Sequence, residues 1–190
     1  MVTIIDALYE QNRQALRFLH EAGEVSLASD LDNKLKKHLI MASASYFETE
    51  VRELIEEFAT TSSNGNSAIV SLIESKALER QYHTYFDWDK RNANKFFAHF
   101  GEPFNGRCRA EVKDREGLGE AISAFLELGE MRNKLAHLNF AIFPIEKTSD
   151  EVYVLYQRAC AFIEYLRDSL RRASESAVVD TGSTSFSGTI

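Results

Sequence analysis

Residues 29–58 read SDLDNKLKKHLIMASASYFETEVRELIEEF, and the spacing of their apolar side chains decides the fold class. Leu31, Leu35, Leu39, Ala42, Phe47, Val51, Leu54 and Phe58 recur in steps mostly of three and four. Successive helical residues turn by about 100°, so this period puts them on one face of a long helix. Ser29 or Asp30 is placed to cap it, because either side chain accepts a hydrogen bond from a free N–H in the first turn. A helix of about 30 residues is a rod of roughly 45 Å. The polar run Thr60-Thr61-Ser62-Ser63-Asn64-Gly65-Asn66 ends it.

The same period continues on both sides. Ile5, Leu8, Ala15 and Leu19 mark an earlier helix closed by Gly23. A shorter helix is expected from Ile69 to Leu78. Another is expected from Asp87 to Phe100, carrying Trp88, Phe96, Phe97 and Phe100 and ended by Gly101 and Pro103. Residues 101–117, with glycines at 101, 106 and 117, read as loop with at most one helical turn. A further helix spans Leu118 to Leu138. Thr148-Ser149-Asp150-Glu151 has the form of a capping box. Behind it Val152, Leu155, Ala159, Phe162, Leu166 and Leu170 form a clean stripe. With no strand-like alternation, the expectation is an all-α bundle of long antiparallel helices with shorter inserted ones. Residues 1–172 read as one domain, and 173–190 as a flexible Ser/Thr/Gly-rich tail.

A chain of 190 residues can bury a sizeable core without covalent staples. Its two cysteines, Cys108 and Cys160, form no metal-type pair and no disulfide framework. The N-terminal Met-Val-Thr-Ile-Ile-Asp lacks the basic start and apolar core of a signal peptide, and no apolar run is long enough for a membrane span. These features point to a cytoplasmic protein. The net charge of −7 argues against a protein that coats nucleic acid by charge alone, since such binding draws on clustered Lys and Arg. Two weakly basic patches, Lys34/Lys36/Lys37 and Arg107/Arg109/Lys113/Arg115, read as solvated surface charge.

Chemistry concentrates in Arg132-Asn133-Lys134-Leu135-Ala136-His137. Arginine stays charged and offers a planar fork of donors to phosphate oxygens. A histidine side chain, with an ordinary pKa near ~6.5, takes or gives a proton at neutral pH. Asn133 stands four residues before His137, hence on the same helical face, placed to orient the ring or a phosphate. Glu130 shares that face. Gly129 and Ala136 flank Arg132 and are small enough to admit another helix. Arg132 and His137 are separated by about 140° around one helix, so a single helix converges them poorly. Taken alone, Arg-Asn-Lys and His137 near a helix C-terminus also suit the helix dipole.

Other groupings are weaker. His83 and Asp87 stand at i and i+4, a spacing compatible with a metal, yet read as a surface pair. His99, beside Phe96, Phe97 and Phe100, reads as a packed helix residue; His20 and His38 have no evident partners. Tyr82, Tyr85, Phe86 and Trp88 have the chemistry of a base-stacking platform, but helical core is the plainer reading. No phosphate-binding glycine loop, nucleophile elbow or zinc signature is present. No cofactor is expected.

An Arg, a polar residue directly after it and a His five positions later resembles the signature of the HEPN superfamily. The long helix with Ser43-Ala44-Ser45-Tyr46-Phe47-Glu48, the aromatic middle Asn94-Lys95-Phe96-Phe97, the motif helix and a final helix fit the same pattern over about residues 27–172. Within the superfamily the chain looks most like the RiboL-PSP-HEPN branch. The resemblance implies a metal-independent endoribonuclease, with Arg132, Asn133 and His137 as catalytic residues and RNA as substrate. It also implies a two-fold homodimer with a composite cleft, and a role in prokaryotic toxin–antitoxin or phage defence with an antitoxin or defence-system partner. The alternative within the superfamily is a non-catalytic module that binds a nucleotide or a partner protein.

Overall fold

The computed structural model describes residues 2–181, with side chains through Glu175, and no strand occurs among them. The elements are α1 (Ile4–Glu21), α2 (Val25–Ser62), α3 (Ser67–Ile73) continuing into a π-helical turn (Glu74–Leu78), α4 (Tyr82–Tyr85), α5 (Asn94–Ala98), α6 (Glu102–Asp114), α7 (Leu118–His137) and α8 (Ser149–Thr181). None of these helices is long and apolar enough to cross a membrane.

Local chemistry explains the boundaries. At the end of α1 the Glu24 N–H reaches the Leu19 carbonyl (2.9 Å) and the Gly23 N–H reaches that of His20 (3.1 Å), with Gly23 at φ +76°. This closure needs a left-handed residue, which glycine supplies without a Cβ penalty. It delivers the chain into α2 at Val25, earlier than a cap at Ser29 or Asp30 allows. Both lie inside the helix, and Asp30 instead pairs with Lys34 at 2.6 Å. The capping box at Thr148 forms: its N–H donates to the Glu151 carboxylate (2.7 Å), and the Glu151 N–H donates to the Thr148 hydroxyl (3.2 Å).

Two expectations for the middle of the chain are corrected. Residues 101–117 are not loop, because α6 fills thirteen of them. Gly101 (φ +85°) and Gly117 (φ +79°) stand at helix starts, Pro103 occupies the first turn where its missing N–H costs nothing, and Gly106 faces open space inside α6. Conversely, no helix spans 87–100. Only α5 forms there, and Trp88 lies on an irregular stretch before it. Of the segment read as tail, residues 173–181 belong to α8, and 182–190 lie outside the described residues.

The chain divides into two compact units. The first comprises Met1–Phe47, Trp88–Asn92 and Gly117–Ala161. Its core joins Phe47 to Phe125 (ring centroids 5.6 Å) and to Tyr156 (5.5 Å), beside Leu39, Ile40 and Leu128. Fully burying one such side chain contributes about 1.5–3 kcal/mol. Asp32 accepts from the Ser149 hydroxyl and Phe47 meets Tyr156, so α2 and α8 ascend together here. α1 runs against α8: Tyr9 donates to Asp150 (2.7 Å), Tyr153 to Asp6 (2.9 Å), and the Thr3 and Tyr156 hydroxyls lie 2.6 Å apart. Burial and the Asp150 carboxylate push the Tyr9 hydroxyl up to about 12. α7 descends against α2, from Phe125 opposite Phe47 to the stretch beyond its end at Lys37.

The second unit comprises Glu48–Asp87, Ala93–Glu116 and Phe162–Ile190. Phe86 stacks flat on Phe96 (4.9 Å, 5°), and Phe97 meets Phe104, Phe162 and Tyr165. Arg167 pairs with Glu50 at 2.8 Å and Arg172 with Glu111 at 3.0 Å. Cys108 is fully buried, and burial pushes its thiol up.

Candidate functional site

All three motif residues stand on α7 in the first unit. Leu128 and Leu135 anchor the helix, at 0% and 2% exposure, while Arg132 and Asn133 are half-buried beside them. Arg132 Nη1 donates to Asn133 Oδ1 at 3.2 Å. Asn133 therefore engages the guanidinium, and no bond joins it to the His137 ring. Glu130 is taken by Lys134 at 2.6 Å, an i,i+4 pair on the same helix. His137 is the last helical residue and is exposed, as are Ala136 before it and Leu138 after it. Lys134 and His137 in the last turn suit the negative end of the helix dipole.

The helix stops because Leu138 turns extended (φ −104°, ψ 172°), its N–H still bonded to the Lys134 carbonyl at 2.9 Å. The stretch between α7 and α8 is pinned by α2. Lys37 Nζ donates to the carbonyls of Phe140 (2.8 Å) and Ala141 (3.0 Å) and lies over the Phe140 ring. Lys36 Nζ donates to the Ile145 carbonyl at 2.9 Å. Lys147 returns to α7 and pairs with Glu127 at 3.0 Å. Two lysines that read as solvated charge thus hold the segment behind His137.

Gly129 corrects another expectation. It does not offer space to another helix, because the Trp88 indole of the same unit already fills it. A Cβ there would lie 2.1 Å from Cζ3 and 2.3 Å from Cε3 of that ring. Trp88 also stacks on Phe125 (6.0 Å, 29°), and Arg91 reaches Glu127 at 4.0 Å. Sequence reasoning missed this clamp. A glycine three residues before an Arg-Asn pair, with one tryptophan in the chain, was the signal available.

The remaining candidates are placed elsewhere. His83 and Asp87 share no helical face, since α4 ends at Tyr85, Phe86 is extended, and Asp87 pairs with Lys95 at 3.3 Å. Among the described residues no group of three or more His, Cys, Asp or Glu side chains is arranged to hold a metal. His99 is not packed in a helix interior; it follows α5, exposed, its ring edge-on to Tyr85 at 5.9 Å. Of the second basic patch, Arg107 donates to the Ser169 carbonyl and Arg115 covers the Tyr165 ring. Tyr85 and Phe86 are core residues at 6% and 2% exposure.

A family model for RiboL-PSP-HEPN matches residues 6–172. The chain belongs to the RiboL-PSP-HEPN family. The match takes in the whole motif and every helix from α2 to α7, and it begins within α1, earlier than the resemblance over 27–172 suggested. No curated protein and no solved structure matches the chain. An all-α HEPN fold agrees with the helices α1 to α8, and HEPN domains include both ribonucleases and nucleotide-binding modules.

Proposed function

We propose that this RiboL-PSP-HEPN chain is a metal-independent endoribonuclease acting as a two-fold homodimer, in a prokaryotic toxin–antitoxin or phage-defence system. The observation that carries the reading is the state of the motif. Arg132 is half-buried and tied to Asn133, one turn from an exposed histidine on the same unbroken helix. An ordered guanidinium presents fixed donors to a phosphate, and an exposed imidazole is reachable by substrate.

In the reaction the ribose 2′-oxygen attacks the adjacent phosphorus and loses its proton to an imidazole. Arg132 stabilises the charge on the equatorial oxygens. The 5′-oxygen leaves with a proton from an imidazolium, giving a 2′,3′-cyclic phosphate and a 5′-hydroxyl. The same imidazole serves both steps, since the proton it takes from the 2′-oxygen is the one it returns to the 5′-oxygen.

Purified protein incubated with total cellular RNA is the direct test, with EDTA present and with 2′-deoxy nucleotides at the mapped cut site. Cleavage that survives EDTA, stops at the deoxy position and disappears in a folded His137→Ala variant supports the reading. A second reading, a binding module without cleavage, is favoured by the loss of Lys36 and Lys37 to intramolecular bonds on an acidic chain. RNA or nucleotide binding without any product identifies that module.

A further inference from the structure

Trp88 is the one tryptophan in the chain and lies partly exposed on the irregular stretch of the first unit. The benzo half of its indole rests on the backbone of α7 at Gly129, where no side chain fits, and Phe125 supports the ring one turn earlier. Gly129, Arg132 and Asn133 stand at i, i+3 and i+4 and share one helix face. Helical side chains lean towards the helix N-terminus, so Arg132 and Asn133 lean back over the turn that the indole occupies. Asp89 follows Trp88, and the exposed Lys90 and Arg91 come next, Arg91 reaching Glu127 at 4.0 Å. A flat aromatic surface thus stands on the face of α7 that carries Arg132, one turn before it, and the guanidinium supplies the positive charge. Sequence-tolerant grips on single-stranded RNA combine these two elements.

We propose that the uncovered part of Trp88 is a stacking platform for the RNA base adjoining the phosphate held by Arg132. The inference rests on the ribonuclease reading and adds a substrate contact outside the motif. It implies that single-stranded RNA, whose bases are free to stack, is the preferred substrate class.

Having one tryptophan makes the test direct. The His137→Ala protein is titrated with a library of 5′-labelled single-stranded RNA 12-mers of random sequence, recording label anisotropy and Trp88 emission together. Quenching that tracks binding is expected, and prior Arg132→Ala substitution should weaken both signals. In the otherwise wild-type protein, Trp88→Phe keeps a smaller flat ring over Gly129 and should raise KM less than loss of the aromatic face does. Trp88→Leu fills the hole without an aromatic face and should raise KM about tenfold with kcat little changed. RNA that binds without changing Trp88 emission overturns the stacking role and leaves the ribonuclease reading intact. So does a loss confined to kcat in both variants, which marks Trp88 as packing alone. A wild-type protein that neither binds nor cuts RNA overturns both.

Discussion

Arg132 and Asn133 are neighbours in sequence and bonded to each other, guanidinium Nη1 to side-chain oxygen at 3.2 Å. The residue directly after the arginine therefore sets the direction of its charge. Asn133→Ala removes that hold and should lower the cleavage rate about tenfold, the scale of one hydrogen bond to a charged group. Asn133→Asp keeps an acceptor but adds a carboxylate that competes with phosphate for the guanidinium. It should cost more activity than alanine, and the loss should shrink as salt screens the pair. Single-turnover rates of both variants decide the matter; an aspartate variant as active as wild type removes Arg132 from phosphate contact.

Gly129→Ala tests the Trp88 clamp without touching the motif. The added methyl meets ring carbons at 2.1 and 2.3 Å, so the indole has to move. Overpacking of this kind costs about 1–3 kcal/mol, and a loss of about 2 corresponds to a fall in Tm of roughly 4–8 °C. In a Trp88→Ala background the same Gly129→Ala change should cost less, because the two residues share one space. Thermal melts of the two single variants and the double variant would show strict additivity if they were independent.

How much of the fold and site is legible in the sequence depends on the range of each interaction. The stripes of α2 and α8 are local periods, and the capping box at Thr148 spans four residues, so both stand in the sequence. The motif is legible for the same reason, being contiguous on one helix. Residues 101–117 misled because glycines mark breaks only when their backbone angles demand it. Gly101 and Gly117 bound helices, whereas Gly106 lies inside α6 at a propensity cost of about 1 kcal/mol. The fit of Trp88 to Gly129 joins distant parts of the chain and leaves no periodic trace. The same glycine consequently read as a gap for a second helix.

Acid should loosen the attachment of α1. Burial raises the Asp6 carboxyl pKa, but hydrogen bonds from the Thr3 N–H, the Tyr153 hydroxyl and the Thr3 hydroxyl outweigh it and hold the group below its ordinary 3.8. A carboxyl lowered in the folded state stabilises the fold above its unfolded value, and that contribution is lost as pH falls through the folded one. Wild type should therefore lose stability below about pH 4 more steeply than Asp6→Asn, which has no such carboxylate to protonate. Denaturant midpoints from about pH 6 down to about pH 2.5 give the comparison, and parallel curves would remove Asp6 from the linkage.

Lys36 and Lys37 offer a contrast between holding structure and holding RNA. Their ammonium groups are spent on carbonyls of Phe140, Ala141 and Ile145. Replacing both with alanine should speed amide hydrogen exchange across residues 138–148, just behind His137. The salt dependence of RNA binding should stay as in wild type, since no phosphate contact is lost. A shallower salt slope with unchanged exchange would assign the two lysines to RNA instead.

The Trp88 indole occupies the space at Gly129 and closes it to a second copy. α7 is regular through His137, so Arg132 and His137 diverge by about 140° around it and converge poorly on a single phosphate. In the proposed homodimer a second copy would approach the motif through the exposed residues Ala136, Leu138 and Phe140, the last two at 51% and 47% exposure. Ala136→Glu should shift sedimentation towards monomer and lower activity with it, while circular dichroism stays unchanged. Complementation is the sharper measurement. Arg132→Ala and His137→Ala are each expected to be inactive alone. In a two-fold dimer that pairs Arg132 of one copy with His137 of the other, each mixed dimer regains one intact site. Equal mixing should then restore about a quarter of wild-type activity, because half the dimers are mixed and each carries one of two sites. If mixing restores nothing and a monomer cleaves at full rate, one chain completes its own site, and Arg91, already beside α7 at Glu127, is the first residue to test.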